Sequence, residues 1–397
     1  MMKHWKKASL GIALGCVVVT ALLGCGDLSS NNNTNEQNIG GGDIELPPPP
    51  ATDSYETIDK LDFDTAKSGN KALPFLTKEA IKKMIQDTDS SKFPADGNKG
   101  EALMLEKPCY TAPYSVGKPK PEAITYALAR LNNLRRIAGL PTVEIDETLN
   151  DKAQHNAFLN AYYNTGDGDD KYNIGTKPED MDQTMYNKGK DTTTANRFNR
   201  PRLIDSSDYY LVDQNVTNLG HRFPILQIDL KKVGFGVASA HEGFGFTATQ
   251  FYPGLAQSQS TWPGMNPVSF DWDFVTWPAP GYFPLNTGYG LFQANTNWAY
   301  WSIYFNPKTY KLATHPRTVF TVENSRGQKW STDETKKEEG YEFFTYTLSN
   351  AVSAAQSCVF QLPDAEYKDG DRYTVTISNL AGSKSFSYTV DFFDVKK

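Results

Sequence analysis

Residues 121–141 read PEAITYALARLNNLRRIAGLP. Ile124, Ala127, Leu128, Leu131, Leu134 and Ile137 recur at three- and four-residue spacing. Such spacing lines one face of a helix that turns every 3.6 residues. Gly139 supplies a left-handed cap, and the following Leu140-Pro141 cannot continue the helix. A second helix is predicted after Asp146, a good N-cap, with Leu149, Ala153, Ala157 and Ala161 on one face. Its end is set by the Gly- and Asp-rich run at 166–170.

Downstream the period changes from helical to alternating. Residues 233–240 and 245–252 are short, glycine-containing and β-rich, and residues 317–323 predict another short strand. Tyr373, Val375 and Ile377 alternate with Thr374, Thr376 and Ser378. Phe386, Tyr388 and Val390 alternate with Ser387, Thr389 and Asp391, and Ala381-Gly382 joins the two runs as a hairpin. A β-sandwich of immunoglobulin-like type is the natural architecture for this C-terminal region.

Upstream, residues 56–118 form a mixed polar lead-in with one helix expected near 77–86. The first 25 residues carry a different chemistry. Lys3, Lys6 and Lys7 precede an apolar stretch over residues 8–23, and no acid appears before Asp27. That stretch suits the apolar region of an export signal better than a membrane span of about 20 residues. It ends at Leu22-Leu23-Gly24-Cys25, which resembles the lipobox of bacterial lipoproteins. The resemblance implies a lipidated Cys25, cleavage before it, a palmitate-type anchor, and an exported protein held at a bacterial membrane. A plain secretory signal or an uncleaved anchor is the competing reading. Residues 29–42 are mostly Asn, Gly and Ser, and 47–50 are four prolines, so residues 25–55 read as an extended, disordered tether. Loss of the three signal lysines takes the formal net charge from −6 to −9, which argues against nucleic acid as a partner. Cys109 and Cys358 remain beyond the lipid cysteine, and an oxidising compartment would let them pair, although sequence alone does not bring them close.

Three segments stand in order: Leu131-Asn132-Asn133-Leu134-Arg135-Arg136-Ile137-Ala138-Gly139-Leu140-Pro141, then Leu149-Asn150-Asp151-Lys152-Ala153-Gln154, then Leu219-Gly220-His221-Arg222 with Ile225-Leu226 and Val233-Gly234-Phe235-Gly236. Together they resemble the CAP superfamily (SCP/PR-1-like). Lys177-Pro178-Glu179-Asp180-Met181 up to Tyr186 is similar to the intervening loop of bacterial members. Trp277-Pro278-Ala279-Pro280-Gly281-Tyr282 resembles a segment that joins such a domain to a C-terminal β region. The resemblance implies an α+β chain: a three-layer α-β-α sandwich over residues 119–260, followed by an all-β immunoglobulin-like domain over 261–397.

In many members the resemblance implies a cleft of two histidines and two acids that suits a divalent metal. Here it carries over in part. His221 matches the second histidine, beside Arg222, whereas residues 172–178 offer no first histidine and Asn173 is the nearest candidate. The family's Gly-Glu-Asn segment has only Thr194-Ala195-Asn196 as its closest match. Asp205 or Asp208 could supply one acid. No bound metal or other cofactor is expected from so incomplete a set.

Of the remaining histidines, His155 lies beside the apolar face of its helix, His241 in a turn between strands, and His315 in a loop. Gly-x-Ser-x-Gly, the Walker loop, the dinucleotide fingerprint and the zincin helix are all absent. Trp262, Trp272, Trp277, Trp298, Trp301 and Trp330 all fall after the CAP-like segment, with Phe283, Phe292, Tyr300 and Tyr304 among them. They read either as a platform for stacking on glycans or as the filling of a β core. Alternation would set Trp298 and Trp301 on opposite faces. The expected function is a membrane-anchored surface lipoprotein with a non-enzymatic CAP-like module for a cell-surface protein, glycan or lipid. The alternatives are a divergent metal-assisted hydrolase using His221 with Asp205 or Asp208, and a binder of lipid or small apolar ligands.

Overall fold

The computed structural model describes residues 46–93, 100–163, 174–190, 195–198, 202–213, 218–241, 244–251, 268–286, 300–349 and 356–397. Cys25 and the export segment, Asn173, Thr194, Trp262, Phe292 and Trp298 lie outside the described residues. So does the run at 166–170. No helix among the described residues is long and apolar enough to cross a membrane.

The proline run is seated on the body. Tyr126 donates its hydroxyl to the Pro47 carbonyl at 2.7 Å, Leu46 packs against the core, and Tyr55 is buried. The tether expected over 25–55 therefore does not run free to its end. A polyproline stretch makes no hydrogen bonds of its own, so its carbonyls are open to an outside donor. β1 (Thr57–Ile58) then pairs with β2 (Phe75–Leu76), and α1 (Lys78–Asp87) follows. Thr77 caps α1 by accepting from the Ala80 amide at 3.1 Å, in line with the helix expected there. β3 (Met104–Glu106) and β4 (Lys118–Pro119) close the lead-in.

α2 (Pro121–Ile137) ends as its sequence predicts. Gly139 has φ +77°, its amide bonds to the Arg136 carbonyl (3.0 Å), and the Leu140 amide bonds to Arg135 (2.9 Å), a Schellman cap. The lead-in crosses this end closely: a Cβ at Gly139 would lie 2.0 Å from the Ser68 carbonyl oxygen. Ser68 Oγ donates to Ala138 O (2.9 Å) and the Asn70 amide to Gly139 O (2.8 Å), while the Gly69 amide reaches Phe274 O (2.8 Å). One short segment thus satisfies the helix end and fastens it to the C-terminal region.

The α-β-α sandwich is built on β5 (Glu144–Ile145), α3 (Glu147–Tyr162), α4 (Gln183–Lys190), β6 (Ala195–Phe198), α5 (Ser206–Val212), α6 (Arg222–Ile225), β7 (Lys232–His241) and β8 (Phe244–Phe251). The sheet order is β5-β7-β8-β6. β7 shows why helices cover both faces. Val233, Phe235 and Val237 join the core that contains Leu131 and Leu134 of α2. Gly234 and Gly236, on the other face, lie against Leu149 and Ala153 of α3, and Ala238 packs with Ala157 and Ala161. Small residues on both partners let helix and strand backbones approach closely. Gln154 and Asn150 then bond edge-on to β7, through Val237 N and O and through Phe235 N.

The C-terminal strands are β9 (Phe274–Trp277), β10 (Gly281–Pro284), β11 (Trp301–Phe305), β12 (Val319–Asn324), β13 (Lys329–Ser331), β14 (Glu342–Phe343), β15 (Tyr346–Ser349), β16 (Gln356–Phe360), β17 (Arg372–Leu380) and β18 (Lys384–Phe393). They form two sheets, β10-β18-β17-β12-β13-β14 and β15-β16-β11-β9, mostly antiparallel. Phe274 of β9 stacks on Phe386 of β18 at 4.7 Å, and Trp301 of β11 meets Tyr373 and Phe392 across the seam. This is the sandwich expected from the alternating pattern. Trp272, Trp277, Trp301 and Trp330 are all buried, so these four fill the core and present no glycan platform. The alternation fails at Thr389 and Asp391, which are buried: Thr389 bonds to Thr65, and Arg372, paired with Asp391, lies over Phe63.

The pairing of Cys109 with Cys358 does not occur. Cys358 is a free thiol at the centre of β16, and burial pushes its pKa up. Lead-in, CAP-like sandwich and β-sandwich pack as one unit over Glu45–Lys397.

The glycine stripe gives a direct test. In Gly236→Ala the new Cβ would lie 2.2 Å from the Ala153 carbonyl carbon, and helix backbone has little room to yield. Urea unfolding should show a loss of about 2 kcal/mol or more.

Candidate functional site

His221 sits at the N-terminus of α6, and Asp213 immediately follows α5. Asp213 adopts φ +50°, which turns the chain sharply and aims its carboxylate back at the Gly-His-Arg segment. Its Oδ1 lies 2.7 Å from His221 Nδ1. Its Oδ2 accepts from the backbone amides of His221 (2.9 Å) and Arg222 (3.1 Å). A carboxylate only accepts, so Nδ1 carries the hydrogen and the neutral ring keeps its lone pair on Nε2. The Asp213 side chain is 0% exposed and that of His221 35%, so a buried acid orients a half-accessible imidazole. Tyr210 stacks on the ring at 5.9 Å, and Asn196 Nδ2 donates to the His221 carbonyl at 2.8 Å.

The acids expected to serve His221 are engaged elsewhere. Asp208 is fully buried and forms a two-pronged pair with Arg130 of α2, both contacts at 2.8 Å. Asp205 pairs with Arg202 at 2.9 Å, and burial, then Asp208, raises its pKa. The acid that meets His221 is Asp213, which sequence reading passed over. Its position eight residues before the histidine acquires meaning only through the left-handed turn that reverses the chain.

Arg222 is not a cleft residue. It is buried, and its guanidinium donates to Leu211 O (2.6 Å), Val212 O (3.3 Å), Tyr300 O (2.8 Å) and Ser302 Oγ (3.2 Å). It therefore ties the end of α5 to β11 of the β-sandwich. Burial pulls its pKa down to about 10, partly countered by Tyr304 and Asp213. Arg135 of α2 holds the end of α6 in the same manner, through Ile225 O (2.6 Å) and Gln227 O (2.9 Å), and burial lowers it to about 9.

Among the described residues no three of His, Cys, Asp and Glu gather where they could hold a metal. Asp213 also spends both oxygens on His221 and on two amides. Among the described residues, the groups that touch His221 do not make up a metal-binding set. Of the other implied positions, Asn196 is in β6 and supports the His221 backbone, while Asn173 is outside the described residues.

His155 is half-buried on α3, its Nδ1 2.7 Å from Asp151 O, and His315 is exposed in a turn. His241 differs from the exposed turn residue expected of it. It ends β7 and packs on Tyr110 (4.4 Å) and Tyr162 (6.1 Å), with Phe158 stacked behind Tyr110 (5.1 Å). Strand pairing carries on one residue further than the glycine-rich turn implied, which brings the ring onto α3.

Removing one half of a buried ion pair leaves the other uncompensated. Arg130→Met should cost about 3–5 kcal/mol in chemical denaturation, and combining it with Asp208→Leu should restore most of that loss.

Residues 128–252 match the family model described as CAP, the cysteine-rich secretory protein family. No curated protein matches the chain. The match runs from α2 to just past β8 and includes the glycine stripe, the Schellman-capped helix and the His221 segment. Residues 128–252 are a CAP domain of the cysteine-rich secretory protein family, followed in the same chain by a β-rich region.

Proposed function

We propose that this protein is an exported lipoprotein, anchored through Cys25, whose CAP domain is a binding or scaffolding module rather than an enzyme. The carrying observation is how the charges near His221 are spent. Asp208 is bound to Arg130, Asp205 to Arg202, and Arg222 to carbonyls on both sides of the CAP–sandwich seam. Groups committed in this way fix shape and are poorly placed to move protons. The anchor rests on the order of charge, apolar run and small residue before Cys25. Its partners would be the membrane, through the lipid, and a cell-surface protein, glycan or lipid at the CAP domain.

A second reading is favoured by one contact, the 2.7 Å pairing of His221 with Asp213. In it Asp213 orients the ring and His221 takes a proton as general base in a hydrolysis. Purified wild type and His221→Ala should behave alike on peptide and glycan panels under the binding reading. Hydrolysis that disappears in His221→Ala and falls in Asp213→Asn establishes the second reading and ends the first. Independently, Cys25→Ser should abolish labelling by radioactive palmitate and move the protein out of the membrane fraction. Retention of both in that variant removes the anchor.

A further inference from the structure

A small, half-open cleft lies where the lead-in crosses the C-terminal end of α2 and the β9–β10 connection. No residue of α5 or α6 lines it, so it is separate from His221. Two cations, Lys67 and Arg136, are among its lining residues, and no Asp or Glu is. The apolar part of the wall includes Leu73, Phe75 and Tyr282.

The cations are short of partners. Arg136 donates Nη2 to Pro74 O at 2.7 Å, and no carboxylate among the described residues pairs with it. Burial alone pulls its pKa below the ordinary arginine value. Lys67 reaches only the Lys71 carbonyl (3.3 Å) and the face of Phe75 (5.1 Å) among the described residues. By contrast Arg202, Arg326 and Arg372 each meet an acid. Asn70 spends Oδ1 on the Ala72 amide, which leaves its NH2 group as a further donor. The carbonyls of the nearby helix end, which would repel an anion, are already occupied: Ala138 O by Ser68 and Gly139 O by Asn70 N.

We propose that this cleft binds a small organic carboxylate, its charge on Arg136 and Lys67 and its apolar body against Phe75 and Tyr282. A planar guanidinium with free N–H groups takes a carboxylate in a two-pronged contact, and a second cation adds charge without a geometric demand. The apolar wall favours an acid with a short hydrophobic body over a bare inorganic ion.

Calorimetric titration of the full-length chain in detergent, against a detergent blank, tests this with benzoate, benzamide and inorganic phosphate. Benzoate should bind at least about tenfold more tightly than either of the others. Arg136→Gln and Lys67→Met should each weaken benzoate by about tenfold with an unchanged circular dichroism spectrum. If Arg136→Gln does not fold, Lys67→Met carries the test by itself. Failure to bind benzoate overturns the proposal, as does equal binding of benzamide or phosphate. Benzoate affinity that is unchanged in the folded variants overturns it as well.

Discussion

A buried guanidinium must find an acceptor for its N–H groups, and three arginines impose that demand on the CAP domain. Arg130 takes the Asp208 carboxylate, Arg135 the carbonyls at the end of α6, and Arg222 the last carbonyls of α5 with two groups on or beside β11. None of these bonds is worth much net of desolvation, but losing an acceptor leaves a charge in a low-dielectric interior. The arginines therefore act as constraints on geometry more than as sources of stability. Between them they fix α5 and α6 relative to α2 and to the β-sandwich.

The His221–Asp213 pair depends on that frame. Asp213 follows α5, His221 precedes α6, and the peptide after His221 supplies the Arg222 amide that Asp213 also accepts. Fastening Arg222 across the seam thus sets the register of the pair. The lead-in plays the matching part on the opposite side, where Ser68, Gly69 and Asn70 join the end of α2 to β9. A stretch that looks like a linker by composition is packed between the two regions.

Much of the fold was legible in local pattern. The apolar stripe and Gly139 cap of α2, the Asp146 cap and alanine face of α3, and the alternating β17–β18 hairpin all follow from period and capping chemistry. These are properties of neighbours in sequence. The candidate site was less legible. Asp205 and Asp208 are the acids that the sequence offers to His221, yet Arg130, distant in the chain, claims Asp208 and Arg202, three residues away, claims Asp205. The polar face of α2, with Arg130, Asn132, Asn133 and Arg135 buried, is invisible to a count of apolar residues.

What the sequence by itself determined is the kind of domain and the outline of its elements, because backbone periodicity and capping act over a few residues. Only the tertiary structure decided which acid meets His221, that Arg222 is a staple across the seam, that Cys358 is a solitary buried thiol, and that Lys67 and Arg136 share a cleft. Each is a meeting of groups from separate elements. Charge pairing and burial depend on distance in space, which the order of residues does not state.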